Sequence, residues 1–363
     1  MSKRTIVSEK LMRNSFSLLG ERVRLRGWPD FPLTLALSPD GRGKNAAFTK
    51  ALLLLALALM LGVSPVFATS AIPEEYAKYP VMISLDTGGS ASGFYFHDNQ
   101  RGIYFVTAGH VLFERDPQSL LEKPRAMRAL LLSYPAEDAD SPIFMELDLA
   151  KLWRQGALIR HKTQDVVLVR LGTIATDGAV REIALTDGVL RKAFSGQEMT
   201  GTILGANPDM IKKFGDIFVG NEVLLFGYPT SLGIENYPQI DYRRPLLRKG
   251  IVAGKNEERK TIILDSATHY GNSGGPVIEV EHQNLTETRF SIIGMVVEYI
   301  PVTASDTYGK KKRVKITRTE NSGYSVVLPM DVILEMIEAD RSEATRSGGP
   351  AAPDQKQVQV LEV

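Results

Sequence analysis

The stretch Tyr270-Gly271-Asn272-Ser273-Gly274-Gly275-Pro276-Val277-Ile278 decides how this chain reads. It sets one hydroxyl among glycines and runs straight into an apolar segment. A serine that attacks a carbonyl must project from a bent backbone, with open space before it and main-chain N–H groups aimed into that space. Glycine permits both the φ angles and the close approach that such a turn needs. Those N–H groups would form an oxyanion hole, usually the largest single contribution to acyl-transfer catalysis. The plain alternative is a glycine-rich turn between two strands, and Gly-x-Ser-Gly alone does not choose between the two.

Two segments upstream supply what a serine nucleophile requires. Thr107-Ala108-Gly109-His110 directly follows the strand-like run Ile103-Tyr104-Phe105-Val106, and Asp165 opens the apolar run Val166 to Leu171. The serine needs a base to take its proton, and the base needs a carboxylate to hold its tautomer and stabilise the imidazolium. His110 could otherwise be a core histidine, and Asp165 a strand-start residue capping a turn. Asp148 is the rival carboxylate, and His97, His161, His269 and His282 are the other histidines.

The order His110, Asp165, Ser273 belongs to one of several unrelated folds that use this triad. With Thr-Ala-Gly-His and Gly-Asn-Ser-Gly-Gly-Pro both matching, the sequence resembles the trypsin-like serine peptidases of the chymotrypsin fold. Asn272 resembles the bacterial branch that includes the high-temperature-requirement peptidases. The resemblance spans roughly residues 80–340. It implies two six-stranded antiparallel β-barrels and a C-terminal helix, with His110 and Asp165 from the first barrel and Ser273 from the second. It implies an oxyanion hole made by the Gly271 and Ser273 N–H groups and a polypeptide substrate, and it brings no cofactor or metal. It places Ala267, Thr268 and His269 on a wall of the specificity pocket, and Val296, Val297 and Glu298 on the strand that pairs with substrate backbone. Ala267 stands where trypsin-type enzymes keep a carboxylate, so the expected P1 residue is small or medium and apolar. Asn272 offers no charge to a freed N-terminal amine, so activation by terminal insertion is not expected. The peptide-binding module appended to many high-temperature-requirement peptidases is not expected after residue 341.

Composition narrows the rest. The chain has 363 residues, 44% hydrophobic and 23% charged, with a formal net charge of +1, so bulk charge argues for no nucleic-acid partner. It has no cysteine, which excludes disulfides, thiol nucleophiles and thiolate metal sites. Lys44 and Lys50 precede the apolar run Ala51 to Gly62, and Val66 and Ala68 form a small-residue cleavage pattern. Residues 44–68 therefore read as a secretory signal cleaved after Ala68, giving a periplasmic or secreted product. The run falls short of the ~20 residues of a membrane span, with an uncleaved signal anchor as the alternative. Residues 1–43 read as an unstructured extension or a mis-assigned start.

Short β-rich runs recur with turn signals at intervals of about ten residues, which argues for an all-β sandwich or barrel. They include Val81 to Leu85, Phe94 to Phe96, Ala129 to Tyr134, Phe144 to Leu149, Ala157 to Arg160, Glu222 to Phe226, Gly250 to Ala253, Thr261 to Leu264 and Phe290 to Val297. Residues 172–215 are the least legible, and the loop with weak strand signals between Ser195 and Phe214 suggests an insertion over the site. Met330 to Glu338 carries helical spacing, which closes a peptidase domain over 72–341, and residues 342–363 read as a disordered tail. The expected function is an exported serine endopeptidase. The rivals are a catalytically silent member that binds peptide or a partner, and an esterase with the same triad.

Overall fold

The structure is a computed structural model that describes residues 72–99, 102–115, 122–135, 142–177, 180–192, 203–230, 233, 236–284, 287–308, 314–346 and 358–361. The expected extension 1–43 and the signal 44–68 lie outside the described residues.

The N-terminal half runs through β1 (Pro80–Leu85), β2 (Ser90–His97), β3 (Gly102–Thr107), a one-turn helix α1 (Gly109–Leu112), β4 (Phe113–Arg115), β5 (Glu122–Pro124), β6 (Arg128–Ser133), β7 (Ile143–Asp148), α2 (Leu149–Arg154), β8 (Leu158–Arg160), β9 (Val167–Asp177), β10 (Val180–Leu185) and β11 (Val189–Lys192). The C-terminal half contains β12 (Glu222–Gly227), β13 (Leu246–Asn256), β14 (Thr261–Asp265), β15 (Pro276–His282), β16 (Thr288–Tyr308), β17 (Val314–Pro329), α3 (Met330–Arg346) and β18 (Val358–Leu361).

Strands β12-β13-β14-β17-β16-β15 close into a six-stranded ring. The N-terminal half holds an antiparallel sheet in the order β11-β7-β6-β1-β2-β3-β9-β10-β18, with β8 also on β9. Among the described residues this sheet does not close in its hydrogen bonding and forms a half-barrel, against the closed six-stranded barrel that the resemblance implies. Strands β10 and β11 fall in the segment that was illegible in sequence and prolong the sheet at both ends. The remainder of that segment touches β2 at Ala206 and β16 at Ile211 through isolated bridges. Helix α3 continues to Arg346, and residues 358–361 pair antiparallel with β10.

Three apolar clusters explain the layering. One lies inside the N-terminal sheet around Ile83, Phe105, Leu131 and Val169. Another fills the ring with Val223, Leu225, Ile262, Leu264 and Val327. The third, with Phe94, Tyr104, Val106, Phe226, Ile278, Met295 and Ile333, joins the halves and α3. Strand β3 is buried along its whole length because Ile103 and Phe105 face its own core while Tyr104 and Val106 face the shared one. Asp340 of α3 accepts from Tyr104 Oη at 2.9 Å and pairs with Arg170 through both guanidinium arms, locking the helix onto β3 and β9.

Candidate active site

His110 sits in α1, immediately after β3 ends, and Asp165 lies in the turn that leads from β8 into β9. Because β3 and β9 are paired neighbours, the residues past their adjacent ends come together. His110 Nδ1 is 2.6 Å from Asp165 Oδ2, and the His110 main-chain N–H donates to Asp165 Oδ1 at 2.8 Å. Both side chains remain partly exposed. Burial pushes the Asp165 carboxyl up, but the bonds and charge of His110, with Arg160 nearby, outweigh it and hold the group below its ordinary value. Asp165 is therefore a carboxylate at neutral pH, and it fixes the ring with Nδ1 turned inward.

Arg160 builds the turn that presents Asp165. Its Nη1 donates to the carbonyls of His161 at 3.0 Å, of Val166 at 3.1 Å, and of Gln164. Nη2 lies 3.9 Å from Asp165 Oδ1. A Cβ at residue 109 would meet Arg160 Cζ at 2.5 Å, so Gly109 of the histidine motif is the space through which the guanidinium passes. Asp148, the rival carboxylate, caps α2 by accepting from Lys151 N at 2.9 Å. His161 Nδ1 accepts from Gln164 N at 2.8 Å inside the same turn, and His282 Nδ1 meets Thr288 Oγ1 at 3.0 Å.

Ser273 lies in the loop between β14 and β15. The N–H of Asn272 donates to His269 O at 2.9 Å, closing a turn with Gly271 at its third position and φ of +100°. Such a turn requires positive φ there, hence glycine. A Cβ on Gly271 would also strike Tyr228 O at 2.2 Å. Gly274 N donates to Val296 O at 2.7 Å, and Gly275 N to Asn272 O at 2.9 Å. The Gly271 and Ser273 N–H groups have no acceptor among the described residues. No hydrogen bond joins Ser273 Oγ to the His110 ring among them either. The carboxamide of Asn272 is buried, and both its polar atoms lack a partner among the described residues.

The expected pocket residues surround this loop. Thr268 is buried, its Oγ1 2.8 Å from Ser325 Oγ, and its carbonyl accepts from Asn321 Nδ2. Ala267 and His269 flank it, and His269 is held below its ordinary pKa by burial and by Arg248. Val296 spends both main-chain groups on the serine loop, donating to Gly275 O at 3.0 Å and accepting from Gly274. The register with β17 slips between Val296 and Glu298, so Val297 is the bulged residue. Beside Gly271, Tyr270 is exposed and meets Tyr299 edge-on at 5.8 Å.

Residues 91–285, more than half of the chain, match the trypsin-like peptidase domain. The chain belongs to that family. Its β-rich halves and C-terminal helix are those of a chymotrypsin-like fold. No curated protein matches the chain. Among solved structures it is similar to an HtrA-type protease with a tripeptide, at 13% identity over 72% of this chain, with a TM-score of 0.37; the match spans 60% of that protein's length. It is similar to the protease Anisep from Arthrobacter nicotinovorans at 12% identity, covering 69% of this chain and 88% of that one, with a TM-score of 0.35. Human heparin binding protein is similar at 11% identity over 78% of this chain and 97% of that one, with a TM-score of 0.39.

Sequence reading of this trypsin-like peptidase missed Arg160, Ser92 and the Tyr270–Tyr299 pair. Ser92 alone left a trace, as a hydroxyl between Ala91 and Gly93 in an otherwise apolar run.

Proposed function

We propose that this family member is a serine endopeptidase working through Ser273, His110 and Asp165. The observation that carries the proposal is the pairing of His110 Nδ1 with Asp165 Oδ2 at 2.6 Å, which leaves Nε2 as the available base. Ser273 Oγ attacks the scissile carbonyl carbon while Nε2 takes its proton. The carbonyl oxygen becomes an oxyanion that accepts from the Gly271 and Ser273 N–H groups, which the rest of the loop leaves unspent. The C–N bond then breaks, Nε2 gives its proton to the departing amine, and an acyl ester on Ser273 remains. Water deprotonated by Nε2 hydrolyses that ester and restores the serine. Imidazolium formed in each half is stabilised by Asp165. Val297 and Glu298 would pair with substrate backbone, and a small or medium apolar P1 side chain would sit against Ala267.

A fluorophosphonate probe should label wild type at Ser273, and Ser273→Ala should abolish both labelling and casein cleavage, with kcat falling about 10⁶-fold. Ser273→Ala that keeps more than a few per cent of wild-type turnover would refute the assignment. The missing hydrogen bond between Ser273 and His110 favours a second reading, a silent peptide-binding member, although such bonds often form only with substrate bound. Absence of labelling in wild type decides for it, and cleavage of small activated esters without peptides decides for an esterase. We also propose export with cleavage after Ala68, to be checked by N-terminal sequencing of the mature protein.

A further inference from the structure

Ser92, in β2 of the N-terminal sheet, is fully buried, yet its polar groups all reach toward the site. Its Oγ donates to Gly271 O at 2.6 Å and accepts from Tyr228 N at 2.9 Å. Its N–H donates to Ser273 O at 3.0 Å. Its carbonyl accepts from Thr107 Oγ1 at 2.7 Å, in the motif that ends in His110. One residue thus holds the carbonyls that follow both unspent N–H groups, and is itself held by the histidine motif. The triad residues are divided between two halves whose shared core is apolar, and apolar packing does not by itself fix angles. Hydrogen bonds do.

We propose that Ser92 is a positioning residue: its hydroxyl sets the orientation of the Gly271 peptide, and with its N–H it registers the Ser273 loop against His110. This rests on the hydrolase reading above. Gly271 is the joint concerned. Its φ of +100° orients the N–H toward which an oxyanion would form, and glycine resists rotation less than any other residue. The Ser92 hydroxyl clamps the other side of that joint through Gly271 O. Deleting the hydroxyl leaves Gly271 O and Tyr228 N–H without their partner in a buried place, where the strain is relieved by turning the glycine. A donor displaced in this way acts on the transition state, where the oxyanion exists, and hardly on the bound substrate.

The test compares wild type, Ser92→Ala and Ser92→Cys as full chains, at a temperature far below each thermal midpoint, with folding checked by circular dichroism. The thiol fills the place of the hydroxyl but donates weakly, so it keeps the protein folded should the alanine form fail. Both variants should lose about 10- to 100-fold in kcat on a peptide, with KM within about twofold of wild type, since a hydrogen bond lost at the transition state weighs on kcat. The second-order rate of fluorophosphonate labelling at Ser273 should fall in parallel. A lower thermal midpoint with kcat unchanged would overturn the proposal, because Ser92 would then serve stability alone. A rise in KM at constant kcat would overturn it too. Wild type that neither labels nor cleaves would instead bring down the hydrolase reading, and this inference with it.

Discussion

Residues 271–275 are fixed mainly by main-chain hydrogen bonds, whereas His110 and Asp165 are fixed mainly by side chains. On the serine side, Asn272, Gly274 and Gly275 each donate a main-chain N–H to a neighbouring carbonyl. A Cβ would meet carbonyl oxygen at 2.2 Å on Gly271, at 2.2 Å on Gly274 and at 2.3 Å on Gly275. On the other side the links are His110 to Asp165 and Arg160 to the turn around it. That contrast locates the weak point of each side. Within residues 271–275 the serine loop should fail when a side chain is added, its one side-chain support among the described residues being the Ser92 hydroxyl from β2, and the histidine side should fail when a side chain is taken away.

The largest expected effect tests the second half of that statement. Asp165→Asn should lower kcat about 10⁴-fold, because the amide holds the His110 ring in the wrong tautomer. Asp148→Asn keeps an oxygen that can accept from Lys151 N and removes only the charge at the start of α2, so it should cost a few tenths of a kcal/mol to about 1 kcal/mol of stability, with kcat kept. Kinetics of both variants on one peptide check this, and a greater loss for Asp148→Asn would reverse the choice of carboxylate.

Gly271→Ala tests the first half. The added methyl strikes Tyr228 O and sits at a φ that L-residues rarely adopt. Strain of about 1–3 kcal/mol is expected, and loss of one oxyanion donor should cost about 10²-fold in kcat. Wild-type kcat in Gly271→Ala would show that this N–H takes no part.

Arg160→Gln sharpens the contrast. The turn at Asp165 loses a charged donor to three carbonyls, and about tenfold in kcat should follow, at ~1.4 kcal/mol per factor of ten. Denaturant unfolding measured alongside separates this from plain instability: a fall in stability with kcat intact would make Arg160 a purely structural residue.

The smallest effect concerns another histidine of the N-terminal half, this one in the sheet itself. His97, at the end of β2, is pushed down to about 4 by burial. A base whose folded pKa is lowered contributes stability that is present above its unfolded value of 6.5 and lost as pH falls toward 4. Between those values the unfolded chain binds the extra proton, so stability should drop with acid at no more than about 1.4 kcal/mol per pH unit. His97→Gln should flatten that slope in urea titrations between pH 6.5 and 4. An unchanged slope would mean that the folded protein lets His97 take its proton.

The serine loop was legible in sequence because part of its requirement is local: the turn needs positive φ at Gly271 and Gly274, and that need leaves its mark in the residue types of one short stretch. The carbonyls of Tyr228, Ser92 and Phe226 that also exclude a side chain at 271, 274 and 275 come from distant segments. Local patterns likewise mark β3 running into Thr107-Ala108-Gly109-His110, and the ring strands with their β-rich runs. Only the tertiary structure decided what lies between distant segments. Arg160 reads as the last residue of an exposed strand until Gly109 is seen to open a path for it. Ser92 reads as an interruption in an apolar strand until Gly271, Ser273 and Thr107 converge on it. Strands β10 and β11 carry no clear alternation, and β18 is four residues long; each is a strand because a neighbour offers unpaired N–H and C=O groups along its edge. A hydrogen bond between residues 179 positions apart, as from Ser92 to Gly271, leaves no period and no motif in either segment. Its partner is chosen by the packing of two sheets, and that packing is fixed only when the apolar faces of both have closed on one another.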